Sequence, residues 1–141
     1  QGADIVTDTN MALAGINKRA LARHGGEAHC FMADEKVAAL AKERGVTRAT
    51  VSMEFAAQLS KPVIFAVGNA PTALIRLYEM ITGGEFRPAF IIGVPVGFVN
   101  VEAAKELILK TDVPYIINRG RKGGSNVAAA ICNALLYELG R

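Results

Sequence analysis

The chain has 141 residues and a mass of 14.9 kDa, with 51% apolar residues, 21% charged residues and a mean hydropathy of +0.26. That is too apolar for a disordered chain and long enough for one domain with its own core, yet no apolar run approaches the roughly 18 uncharged residues of a membrane-spanning helix. A net charge of +3, no Trp, three Tyr and six Phe leave neither a dense basic stripe nor much stacking surface for nucleic acid, whereas a mild positive excess suits an anionic small molecule.

Ala3–Thr7 is the first strand-like run. Met11, Leu13 and Ile16 suggest a short helix, and Leu21 a second one before Gly25-Gly26. Ala28–Met32 reads as the second strand. Asp34 can cap a helix reaching Arg44, with Val37, Leu40 and Ala41 on one face and Gly45 as its stop. Arg48–Leu59 sets Val51, Phe55 and Leu59 on one stripe. Val63–Val67 is a third strand, followed by a helix over Pro71–Thr82 that opens on proline and ends at Gly83-Gly84. Phe90–Val94 is a fourth strand, and Asn100 can cap a helix with Val101, Ala104, Leu107 and Ile108 inward. Tyr115–Asn118 is the fifth, and Ser125–Leu139 the last helix before Gly140. None of the runs alternates cleanly, as expected of strands buried on both faces. Strand–helix alternation predicts a three-layer α/β/α domain with a mostly parallel sheet, one domain over residues 1–141. Cys30 and Cys132 lie in apolar stretches and read as buried free thiols of a reducing, cytoplasmic protein.

In an open parallel sheet, ligands bind beyond the carboxyl ends of the strands. The polar and Gly-rich punctuation collects there: Thr7-Asp8-Thr9-Asn10, Gly68-Asn69-Ala70-Pro71-Thr72, Gly93-Val94-Pro95-Val96-Gly97-Phe98 and Asn118-Arg119-Gly120-Arg121-Lys122-Gly123-Gly124-Ser125. The Gly68–Thr72 turn reads either as a backbone anion site or as an ordinary strand-to-helix turn. Arg119, Arg121 and Lys122 suit carboxylate or phosphate, or form a solvated basic loop. Asp8 either orients or deprotonates a partner, or caps the next turn. Walker A and Gly-x-Gly-x-x-Gly patterns are missing, which disfavours a nucleotide-binding domain, and no Cys or His spacing offers a metal site. His24 reads as an exposed loop residue, and His29 as the start of a strand at the end opposite the site.

These segments together resemble the precorrin-8X methylmutase family of cobalamin biosynthesis. The resemblance is carried by Asp8-Thr9-Asn10-Met11 with Gly15-Ile16, Gly45-Val46-Thr47-Arg48, Gly68-Asn69-Ala70-Pro71-Thr72-Ala73-Leu74, Gly93-Val94-Pro95-Val96-Gly97-Phe98-Val99 and Arg119-Gly120-Arg121-Lys122-Gly123-Gly124-Ser125, in the family's order. It implies an isomerase that moves a methyl group from C11 to C12 of precorrin-8X or cobalt-precorrin-8 by a 1,5-sigmatropic shift, giving hydrogenobyrinate or cobyrinate without a cofactor. It also implies a homodimer and a polycarboxylate tetrapyrrole as substrate and product. Asp8, Met11, Thr47, Arg48, Asn69, Thr72, Pro95, Phe98, Arg119, Arg121, Gly124 and Ser125 are the substrate-binding residues it suggests. In the family the proton donor is a histidine in a helical segment preceding the strand that starts here at Ala3, so the chain is expected to lack that N-terminal segment and neither His24 nor His29 takes the catalytic label. The alternative is a non-catalytic corrinoid-binding protein.

Overall fold

Each strand is separated from the next by at least one helix, so neighbours can pair in parallel only through crossovers laid over a face of the sheet. The computed structural model describes residues 3–23, 25–32, 34–59, 62–68, 70–84, 86–94, 101–117 and 124–139. In it β1 (Asp4–Thr7), β2 (Ala28–Cys30), β3 (Val63–Val67), β4 (Phe90–Gly93) and β5 (Tyr115–Ile117) form one parallel sheet in the order β2-β1-β3-β4-β5. Ile5 lies opposite Ala28 and Ile64, and Ile91 opposite Phe65 and Tyr115.

The direction of strand addition reverses once, between β1 and β3. Right-handed crossovers therefore put the β1-to-β2 connection on one face and the later connections on the other. α1 (Asn10–Gly15) and α2 (Lys18–Arg23) share the first face with the last helix, α7 (Ser125–Leu139). α3 (Glu35–Arg44), α4 (Arg48–Ala56), α5 (Pro71–Thr82) and α6 (Val101–Leu109) form the second layer. The three-layer α/β/α arrangement is the one the sequence predicts. Alternation along the strands divides the core in two. Val6, Phe65, Val67 and Ile91 face Met53, Leu74, Leu77 and Met80, while Ile5, Ala66 and Ile92 face Ile16, Leu21, Ala129 and Cys132.

Local chemistry sets the helix ends. The Asp34 side chain accepts from the Lys36 amide at 2.8 Å, opening α3, and Gly45 closes it in the left-handed conformation at φ 68°. Pro71 opens α5, where a missing N–H costs nothing. The ionised Glu54 on α4 holds three helices together: it accepts from Nη1 and Nη2 of Arg44 on α3 and from Arg76 Nε on α5 at 2.8 Å. The Arg44 guanidinium holds the Glu54 carboxyl below its usual range.

Several expectations need correction. β2 and β5 are the sheet's edges and are half-exposed, so only the central strands are buried on both faces. Cys30, on edge strand β2, is consequently half-buried, while Cys132 is buried. Leu40 stands at 37% exposure, because α3 packs on α4 and not on the sheet, which narrows its buried stripe to Val37 and Ala41. α4 ends at Ala56 and not Leu59, its last carbonyls accepting from Gln58 and Leu59 in tightened turns. Asn100 and Asn118 lie outside the described residues.

Candidate functional site

At a reversal of strand order, consecutive helices leave toward opposite faces and open a crevice between the strand ends. Here α1 leaves β1 toward one face and α5 leaves β3 toward the other, and Asp8 sits between them. Asp8 is 1% exposed. Its Oδ1 accepts from the Gly68 amide at 2.9 Å and its Oδ2 from the Ala70 amide at 2.6 Å. The Gly68–Thr72 turn thus has an anion, but the anion is the chain's own carboxylate. Asp8 fastens the turn that follows β3, while after β1 Thr9 Oγ1 caps α1, accepting from the Ala12 amide at 3.0 Å. Asp8 instead positions the start of α5, including Thr72.

The starts of α4 and α5 meet at this edge. Thr47, the N-cap of α4, accepts from the Thr50 amide at 3.1 Å and donates its hydroxyl to Thr72 Oγ1 at 3.1 Å. The hydroxyls of Thr47 and Thr50 are 3.0 Å apart. The Thr72 proton is then directed away from Thr47. Arg48, the first residue of α4, is exposed, and its Nη1 reaches the Met32 carbonyl at 3.5 Å. Ser52, one turn on, is buried and donates to Met32 Sδ at 3.3 Å. The start of α4, two linked threonines and one guanidinium make an edge that favours carboxylates.

The other wall comes from α1 and α7. Met11, in the first turn of α1, is 64% exposed. α1 approaches α7 so closely that a Cβ at Gly15 would lie 2.8 Å from the Ala129 Cβ. Asn133 on α7 fastens the end of α1, accepting from the Asn17 amide at 2.7 Å and donating to the Gly15 carbonyl at 2.8 Å. Gly124, at φ 126°, donates to the Val94 carbonyl at 2.8 Å and so ties the start of α7 to the end of β4. Ser125 begins α7, but its side chain, like Asn69, Pro95, Phe98, Arg119 and Arg121, lies outside the described residues.

His29 lies away from this edge. Its Nε2 is 3.1 Å from Asp4 Oδ2, and its ring stacks on Phe31. Asp4 Oδ1 also accepts from the Glu27 amide at 2.9 Å, so the pair fastens the amino ends of β1 and β2. His24 lies outside the described residues. Among the described residues no group of three or more His, Cys, Asp or Glu is placed to hold a metal ion. Burial pushes the Cys132 thiol up to about 12, so it is not a nucleophile at neutral pH. Sequence reasoning missed Lys105, which is 1% exposed on α6 and whose pKa burial lowers. The signal was available, since Lys105 follows Ala104 on the face that Ile108 continues. It also missed Asn133 and the Met32 carbonyl, for which spacing offered no signal.

Residues 1–138 match the family model described as precorrin-8X methylmutase. The chain is 48% identical over 136 residues to a cobalt-precorrin-8 methylmutase of Salmonella typhimurium, covering 96% of this chain and 63% of that protein. It is 41% identical over 139 residues to a precorrin-8X methylmutase of Pseudomonas aeruginosa, covering 97% and 66%. A solved precorrin-8X methyl mutase from Thermus thermophilus superposes with a TM-score of 0.85 at 39% identity, covering 96% of this chain and 66% of that one. The chain thus spans somewhat under two thirds of the length of curated relatives it matches, 63% and 60% for two of them. None of these comparisons favours a non-catalytic corrinoid-binding protein.

Proposed function

The chain belongs to the precorrin-8X methylmutase family, and from that premise we propose that it is the corrinoid-binding α/β domain, residues 1–141, of an isomerase of cobalamin biosynthesis. The reaction moves a methyl group from C11 to C12 of precorrin-8X or cobalt-precorrin-8 and gives hydrogenobyrinate or cobyrinate. The observation that carries this reading is the family match over residues 1–138. The geometry supports it. The macrocycle bears carboxylates around its rim, and the start of α4, joined through Thr47 to Thr72 on α5 and carrying Arg48, favours carboxylates.

In this reading Arg48, Arg119 and Arg121 pair with rim carboxylates, Asn69, Thr72 and Ser125 offer hydrogen bonds, and Gly124 sets the start of α7 beside the ring. Met11, Pro95 and Phe98 pack on the face of the ring. Asp8 acts by holding the α5 start and not by touching substrate. A ring held in one orientation, with a proton supplied to a ring nitrogen, rearranges faster through positioning and charge placement. The proton donor is assigned to no residue of this chain. The reading includes a homodimer and a cytoplasmic setting, the latter supported by two free thiols.

Titration with cobyrinate, followed by visible absorbance, tests the proposal. Losing one charge-assisted pair is worth about 1.5–3 kcal/mol, so Arg48→Ala should bind roughly 10- to 150-fold more weakly with its fold intact. A well-folded chain that fails to bind at tens of micromolar cobyrinate refutes the reading, and unchanged affinity in Arg48→Ala removes Arg48 from the site.

A further inference from the structure

The hydroxyls of Thr50, Thr47 and Thr72 form a chain in which one proton fixes the direction of the next. A threonine oxygen has one proton to give and two lone pairs. Thr47 gives its proton to Thr72 Oγ1 at 3.1 Å. One of its lone pairs accepts from the Thr50 amide at 3.1 Å. The Thr50 hydroxyl stands 3.0 Å from the same oxygen, and with the Thr47 proton committed Thr50 is the donor there. Thr47 Oγ1 is then saturated, with two bonds accepted and one donated. It has no lone pair left for Thr72. The Thr72 proton therefore points away from Thr47, and among the described residues it meets no acceptor.

Two separate devices thus prepare one donor. Asp8 Oδ2 holds the Ala70 amide at 2.6 Å, which fixes where the start of α5, and Thr72 with it, stands. Thr50 fixes which way the Thr72 proton faces, because it fills the last lone pair of Thr47. Thr50 is half-buried in the first turn of α4, and its hydroxyl is spent on Thr47, so it acts through the other two side chains. Without that hydroxyl Thr47 has an idle lone pair, and the Thr47–Thr72 bond is free to reverse. Thr72 would then donate inward and turn a lone pair outward. An ionised carboxylate has only lone pairs to offer, so it binds the first arrangement and is repelled by the second. Hydrogen bonds that run in one direction also polarise one another, which strengthens the last donor.

We propose that Thr50 is a positioning residue of the corrinoid site: acting through Thr47, it fixes the Thr72 hydroxyl as a hydrogen-bond donor to a rim carboxylate. The inference rests on the corrinoid-binding function proposed above and adds to it a residue that touches no substrate. It makes the Thr72 position selective for an acceptor group on the ring's rim over a donor.

Thr50→Val removes the hydroxyl, keeps the shape of the side chain and leaves the residue's amide on Thr47, so the cap of α4 survives. Thr47 is the poorer target, because its oxygen is itself that cap. Cobyrinate is titrated, by visible absorbance, into wild type, Thr50→Val, Thr50→Ser, Thr72→Val and the double variant Thr50→Val/Thr72→Val. Thr50→Val is expected to weaken binding roughly 3- to 10-fold, the span of one neutral hydrogen bond. Thr50→Ser, which restores the hydroxyl, is expected to bind within about twofold of wild type. The deciding readout is the cycle: in the Thr72→Val background the Thr50 change should cost less than about twofold, since the donor it directs is gone. A packing role for Thr50 would weaken binding equally in both backgrounds and overturns the proposal. Unchanged affinity in Thr50→Val overturns it too, as does a serine that fails to restore binding. In each of these cases wild type still binds cobyrinate and the proposed function stands. A folded wild type that does not bind cobyrinate refutes that function, and the role of Thr50 falls with it.

Discussion

Removing the Asp8 carboxylate isolates the device that holds the β1/β3 crevice together. Among the described residues, two backbone amides lose their acceptor, those of Gly68 and Ala70. Gly68 is buried, so no water replaces the oxygen there; Ala70 is half-buried and can be partly rehydrated. A hydrogen bond to a charged group is worth about 1.5–3 kcal/mol net, and a buried donor left without a partner costs about 1–3 kcal/mol. These are two views of the same loss, so Asp8→Ala should cost about 3–5 kcal/mol. For a domain of this size that is a fall in Tm of roughly 10–15 °C. Asp8→Asn keeps one acceptor oxygen but turns an NH₂ toward the second amide, so it should fall between wild type and Asp8→Ala. Thermal unfolding followed by circular dichroism at pH 7 reads all three. If both variants melt within about 1 °C of wild type, the carboxylate does not organise the turn. Equal melting of Asn and Ala would show that neither oxygen alone matters and would refute the two-amide argument.

Gly26 admits no side chain, because a Cβ there would stand 2.1 Å from the Ala3 carbonyl oxygen; Gly26→Ala should cost about 1–3 kcal/mol by forcing the entries to β1 and β2 apart, read by urea denaturation. The Cys132 thiol, pushed up to about 12 by burial, should resist a thiol reagent at pH 8 while half-buried Cys30 reacts, and one further thiol should appear only on denaturation. Fast modification of both in the folded chain would contradict the burial. Glu54 has its pKa depressed below 4.5 by Arg44, so its ion pairs stabilise the fold above that value and are lost as pH falls through the lower folded value. The Tm gap between wild type and Glu54→Gln should therefore narrow from pH 7 to pH 3.

Strand and helix positions were legible because local chemistry decided them. Asp34 with Gly45, Pro71 with Gly83, and the Ser125 start each bracket a helix whose ends the structure reproduces. Strand order was not legible, since five apolar runs pair in many orders until crossovers and packing choose one. That order decides exposure, which is why β2 and β5 read as buried strands and prove to be edges. The edge carrying the polar loops was legible, because chain direction alone puts each strand's carboxyl end there. The role of Asp8 was not. Its partners are Gly68 and Ala70, sixty and more positions away, and only the adjacency of β1 and β3 brings them together.

The same adjacency changes what must hold a polyanion. With the Gly68 and Ala70 amides donating to Asp8, those two amides of the turn between β3 and α5 are not open to a ligand. A compact phosphate would lack its usual seat, in keeping with the missing nucleotide motifs. In the proposed function charge recognition rests mainly on side-chain cations. Arg48 stands at the start of α4, in the second layer. Arg119 and Arg121 precede Gly124, whose amide ties the start of α7, in the first layer, to the end of β4. In the proposed function Arg48 and the Arg119/Arg121 pair serve different rim carboxylates, one set attached to each layer, as a bracket around the ring. Such a bracket suits a broad ring with carboxylates on its rim and not one compact anion. Arg48→Ala and Arg121→Ala should then weaken cobyrinate binding by separate, nearly additive amounts, because each pairs with a different carboxylate. A double variant no weaker than the worse single one would mean that both cations serve one carboxylate, and the bracket would be wrong.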